Sequence, residues 1–228
     1  MPEPTMPVWA EHLAVFDTET TGTDTNTDRI VTATVGIIGP YGTLEFARSW
    51  LINPGIPSAP EAVEIHGVTN ERAAAEGADP SVAVAAILDA LHTTGLPVVA
   101  YNAAFDLSIL RAECERYGVE FALPPAGIID PFIIDKAKWK FRKGKRTLAV
   151  VCELYGVELL DAHDATADAV AAGQLAQKLV TRYPGMEPDG LQRLQAIWQR
   201  DQAAGYQEFR RRSEPEFVVD SGWPVYDR

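Results

Sequence analysis

Residues 29–52 read RIVTATVGIIGPYGTLEFARSWLI. Two runs rich in β-branched and apolar residues, 29–38 and 43–52, flank the turn signal GPYG, and this pattern predicts an antiparallel hairpin. Upstream, LAVFD at 13–17 reads as a short buried strand. Downstream the pattern changes. SVAVAAILDALH at 81–92 has apolar residues at helical spacing behind a Ser cap, PVVAYN at 97–102 reads as a strand, and FDLSILRAECERYG follows. In that last segment Leu107, Leu110, Cys114 and Tyr117 share a helical face, and Gly118 is a stop signal. GIID at 127–130 predicts a fifth strand, and 147–156 and 164–180 predict helices. Three strands followed by alternating helices and strands predict an α/β domain with a mixed five-stranded sheet flanked by helices, spanning residues 1–182. Residues 183–228 form a C-terminal extension, helical over 191–206 and extended at its end. Its Phe217, Val218, Val219, Trp223 and Tyr226 are too apolar for a free linker and are expected to pack back on the domain.

The chain has 228 residues, 46% hydrophobic and 23% charged, enough apolar material for a full core. No apolar run approaches the ~18 residues of a membrane span. The start, MPEPTMPVWAEHLAVFD, lacks a basic flank ahead of an apolar stretch, so no signal peptide is read there. Cys114 and Cys152 fall in apolar helical patterns and are expected to be buried free thiols in a reducing cytoplasm. The net charge is −12, which alone argues against nucleic-acid binding. The charge is uneven, however. KAKWKFRKGKR at 136–146 holds seven of the 20 basic residues and none of the 32 acids. An acidic body with one basic strip suits a protein that gathers cations at one place and phosphates beside it.

Three clusters carry acids at element ends. In DTETTG, Asp17 and Glu19 are two apart, so in a strand both point to one face. Such a pair repels itself unless cations bind, although alone the stretch also reads as a polar turn. In YNAAFD, Asp106 sits at the start of a helix, where an acid also complements the helix dipole. In HDATADA, His163 precedes a helix that Asp164 would cap, with Asp168 inside it. All-oxygen sets of this kind select Mg²⁺ or Mn²⁺ rather than zinc. Two such ions about 4 Å apart can activate a water and stabilise the leaving oxygen of a phosphodiester.

DTETTG, YNAAFDLSIL and HDATADA, in this order and with the histidine five before the last aspartate, resemble the three motifs of the DEDDh exonucleases. That group includes the proofreading epsilon subunit of bacterial DNA polymerase III. EIHGVTNE at 64–71, IID at 128–130 and GKRTLAVVCELYGV at 144–157 resemble its intervening signatures, and the likeness covers about residues 12–180. The resemblance implies a ribonuclease-H-like fold and hydrolysis from a 3′ end to nucleoside 5′-monophosphates. It implies Asp17, Glu19, Asp106 and Asp168 as ligands of two Mg²⁺ or Mn²⁺ ions and His163 as general base. It also implies Thr18, Thr20 and His66 at the terminal nucleotide, with Phe105 beside the last base or in the core. The expected partner is a single-stranded 3′ end, DNA ahead of RNA.

Other readings bear on this one. GTDTNTD at 22–28 is not a calcium loop, because Arg29 stands where the sharp turn needs glycine. GKRT at 144–147 is not a phosphate-binding loop, because Arg146 displaces its Ser/Thr. His12 and His92 receive no role. The basic strip can contact nucleic acid, with Arg146 nearest the site, or be a solvated helix face with Trp139 and Phe141 in the core. A stand-alone enzyme and a subunit bound to a DNA polymerase both remain open, as does an RNA 3′-end exonuclease. A non-catalytic module on the same fold is disfavoured by the intact acid quartet.

Overall fold

The computed structural model describes residues 5–159 and 164–227. Its sheet has five strands: β1 Leu13–Thr20, β2 Ile30–Ile38, β3 Leu44–Leu51, β4 Val98–Val99 and β5 Ile128–Ile129. Their order is β3-β2-β1-β4-β5. The hairpin pairs antiparallel with itself and with β1, whereas β4 and β5 run parallel to β1. The parallel strands need crossovers, and helices supply them. Among the described residues these are α1 Pro60–His66, α2 Asn70–Glu76, α3 Pro80–Thr93, α4 Ala103–Tyr117, α5 Pro131–Lys138, α6 Leu148–Tyr155, α7 Ala165–Arg182 and α8 Pro188–Arg210.

β1 explains how the sequence LAVFDTET can be both core and site. Its first four residues are apolar without alternation because both faces of the strand are buried. Leu13 and Val15 pack with α6 and α7, whereas Ala14 and Phe16 pack with α3 and α4. The two-residue period carries that parity forward. Asp17 and Glu19 therefore point to the side of α7, and Thr18 and Thr20 to the side of α4. The strand runs three residues beyond the expected end at Asp17, because pairing continues to Thr20 opposite Ile30.

α7 lies close against the sheet through Ala169, Ala172, Gly173 and Ala176. A Cβ at Gly173 would sit 2.5 Å from Cγ1 of Val15, so only glycine permits this separation. The reading of the basic strip as a solvated helix face is corrected. α5 ends at Lys138, and residues 139–147 form an irregular loop. Phe141 is 89% exposed, which removes it from the core reading. Cys114 and Cys152 are buried free thiols.

α8 and the residues after it pack on β5 and on the α3–α4 side of the sheet. Gln195 of α8 is buried and accepts from the backbone N–H of Asp130 at 2.7 Å, while donating to the carbonyl of Ile128 at 2.9 Å. These bonds satisfy the free edge of β5, the exposed row that an edge strand must protect. In the tail, Trp223 and Val225 pack against the α3–α4 core, and the N–H of Tyr226 donates to Ser108 Oγ at 2.8 Å. Val218, by contrast, is exposed.

Candidate active site

Asp17 and Glu19 on β1 meet Asp168 in the first turn of α7. One carboxylate oxygen from each lies within 4.8 Å of the others. Asp164 fixes that turn, accepting from the N–H groups of Thr166 and Ala167, both at 3.0 Å. It caps the helix as expected. Asp106 approaches from the opposite face of β1 and is 4% exposed. Thr18 holds it there, donating through its N–H at 3.1 Å and its hydroxyl at 2.7 Å to one carboxylate oxygen. Strand parity thus brings three of the acids together from one side and the fourth from the other.

The electrostatics record this crowding. Burial, with the charges of Asp106, Glu19 and Asp168, holds Asp17 well above the usual carboxylate range. Burial and then Asp168, Asp106 and Asp164 push Glu19 up to about 8. Burial raises Asp106 to about 7, although the bonds from Thr18 pull it down. Charges that repel so strongly in the bare protein are stabilised by a divalent cation. The donor set consists of hard carboxylate oxygens, and their separation matches a span that metal–oxygen bonds of about 2.0–2.6 Å can bridge. The residues therefore fit a divalent metal ion.

Two clefts share Glu19 and His66. One, of about 540 Å³, is lined by Thr18, Thr20, Gly22, Ile65 and Phe105. The other, of about 250 Å³, is bordered by Trp50, Arg72, Asp164 and Thr166. A larger cavity of about 790 Å³ near Tyr41, Tyr155 and Arg182 borders none of the four acids. His66 ends α1, where its Nδ1 accepts from the N–H of Val68 at 3.1 Å. That bond leaves the ring proton on Nε2, and burial lowers the pKa, so the ring is a neutral donor. The Thr20 hydroxyl donates to the carbonyl of Gly22 at 2.6 Å.

Arg146 borders neither cleft, because its guanidinium pairs with buried Asp135 and donates to the carbonyl of Trp139. It is tied into the fold beside α5. His163, the expected general base, lies outside the described residues. Sequence reasoning missed Arg72, a cation bordering the cleft beside Glu19. Its signal was the segment TNERAAAE, a Thr cap opening α2. Asn102 was also passed over. It adopts φ 65°, the left-handed region, immediately before α4.

The model of the exonuclease family known as RNase T matches residues 14–176. The chain belongs to this exonuclease family. A DNA polymerase III subunit epsilon-like protein of Rhodobacter capsulatus is 28% identical over 187 residues, covering 80% of this chain and 25% of that protein. A protein named DNA polymerase III PolC-type from Listeria welshimeri is 27% identical, covering 73% of this chain and 11% of its own length. The chain thus spans a quarter or less of these curated relatives. Among solved structures, E. coli exonuclease I in complex with a dT13 oligonucleotide superposes with a TM-score of 0.63 at 23% identity. The match covers 76% of this chain and 42% of exonuclease I. This likeness shows the ribonuclease-H-like fold. Among the described residues, no helix of this exonuclease-family chain is long and apolar enough to cross a membrane.

Proposed function

We propose that this chain is a 3′–5′ exonuclease that uses two Mg²⁺ or Mn²⁺ ions to release nucleoside 5′-monophosphates from single-stranded DNA. The observation that carries the reading is the convergence of Asp17, Glu19 and Asp168, with Asp106 held beside them by Thr18. Bound divalent ions supply an acidified water and charge neutralisation at the leaving oxygen. Asp17, Glu19, Asp106 and Asp168 hold them. His163 accepts the proton of the attacking water. Its reference pKa of about 6.5 leaves it mostly neutral at pH 8, as a base must be. His66 and Phe105 receive the terminal nucleotide in the larger of the two clefts, with Thr18 and Thr20 as its β1 wall. Residues 1–182 form the exonuclease domain and 183–228 an extension on it. DNA as substrate is supported by the names of the polymerase relatives and by the oligonucleotide complex of exonuclease I.

The test is digestion of a 5′-labelled single strand in Mn²⁺, with DNA and RNA of the same sequence side by side. A ladder shortening from the 3′ end, faster on DNA and abolished by Asp17→Asn, is expected. Full activity of Asp17→Asn, or full activity of the parent in EDTA, overturns the reading.

A further inference from the structure

Beyond the two clefts, a cavity of about 370 Å³ lies between α5, α8 and the C-terminal tail. That volume is within the range of ligand sites. Its walls include Asn102, Phe132, Lys136, Gln202, Tyr206 and Tyr226. Three features point to a nucleic-acid ligand. Phe132, Tyr206 and Tyr226 put aromatic rings in its wall, the kind of group on which bases stack. Lys136 brings a cation, its Nζ 4.6 Å from the Phe132 ring centroid. Gln202, whose amide donates to the carbonyl of Ile133 at 3.1 Å, adds a polar side chain to the wall.

None of the four acids lines this cavity, but Asn102 in its wall stands one turn before Asp106 on α4. Tyr226 is raised to about 12, first by burial and then by the charges of Asp106 and Asp130, so its hydroxyl lies within electrostatic reach of both. The tail is pinned there, because Tyr226 bonds Ser108 of α4 through its N–H and accepts from Arg111 through its carbonyl. Cleft and cavity also border the first turn of α4, through Phe105 and Asn102 respectively. A strand with its last nucleotide in the Phe105 cleft and the preceding one in the cavity would span the first turn of α4. Gln202, Tyr206 and Tyr226 all lie outside the family-matched residues 14–176.

We infer that this cavity binds one upstream nucleotide of the cleaved strand, its base against Tyr206 and Tyr226 and its phosphate facing Lys136. The inference rests on the exonuclease reading and assigns the extension a role in holding substrate. The experiment compares a 5′-labelled dT10 with the p-nitrophenyl ester of thymidine 5′-monophosphate, which has no upstream nucleotide. The parent, Tyr226→Leu, Tyr226→Phe and Lys136→Gln are assayed in Mn²⁺, with thermal melting to check folding. Tyr226→Leu and Lys136→Gln should each lower the ratio of kcat/KM on dT10 to kcat/KM on the ester about tenfold, through KM on dT10. Tyr226→Phe, which keeps the ring, should retain the parent ratio. A parent ratio in Tyr226→Leu and Lys136→Gln, whether both activities fall together or neither falls, overturns the inference. A parent that hydrolyses neither substrate overturns the exonuclease reading instead.

Discussion

Glu19 and Asp106 hold protons, without metal, to about pH 8 and 7 respectively, far above ordinary values near 4. The unfolded chain releases them near pH 4. Between about pH 4 and 8 the folded state therefore binds more protons, and stability without metal falls as pH rises through that window. Cations remove the repulsion, but at low pH they must first displace protons. Thermal melting in EDTA should give a lower Tm at pH 8 than at pH 5.5, and Mn²⁺ should raise Tm more at pH 8. Asp17→Asn removes one of the crowded charges, so in EDTA at pH 8 it should melt above the parent. A lower Tm would mean that Asp17 is held by favourable contacts rather than by cations. At His163 the expected loss is different. General-base help is typically worth about 10²–10⁴-fold, so His163→Ala should lose rate on that scale with Mn²⁺ affinity kept. The parent's rate should rise through the histidine titration, and a variant with the same pH profile would exclude that role.

Among the helices that position the acids, α7 carries a close geometric demand against the sheet. A side chain at Gly173 would meet Cγ1 of Val15 at 2.5 Å, in the strand that leads to Asp17 and Glu19, and Cδ1 of Ile38 of β2 at 2.6 Å. Overpacking of this kind costs about 1–3 kcal/mol, so Gly173→Val should lower Tm by several degrees. It should also push α7, and Asp168 with it, away from Asp17 and Glu19. The measurement is Mn²⁺ activation, whose midpoint should rise. A lower Tm with the parent midpoint would show that the helix absorbs the strain elsewhere. Legibility in the sequence follows the same elements. The five strands and the long helices were readable because their apolar periods are regular, and the three acids converge because the two-residue and helical periods are local properties. α1 and α2 were not readable, since seven residues give too little periodicity, although Pro60 and Gly67 mark the ends of the first. The role of Thr18 was hidden too. Its bond to Asp106 spans 88 residues, and nothing local announces that. Arg146 misled for a related reason, because its partner Asp135 meets it only once the loop folds.

At the scale of the whole molecule, a chain of net charge −12 must still hold a polyanion. The loop after α5 divides its cations. Arg142 and Arg146 turn inward to Asp135, whereas Lys140, Lys143 and Lys145 are exposed beside exposed Phe141. The inward pair anchors the loop, and the outward lysines are available to phosphates, with Phe141 available to a base. Each phosphate neutralised on a single strand adds roughly 0.7 to the slope of log affinity against log salt. The double substitution Lys143→Glu with Lys145→Glu should therefore weaken binding of a long strand and flatten its salt slope by about 1.4. Neither side chain helps to anchor the loop through an ion pair to Asp135, so Tm should change little. A dinucleotide, held at the carboxylate site, should lose much less affinity. The measurement is anisotropy of labelled strands titrated at several salt concentrations in Ca²⁺, with and without the substitutions. An unchanged slope on the long strand would leave the bound ions, Arg72 and Lys136 as the cations that hold it.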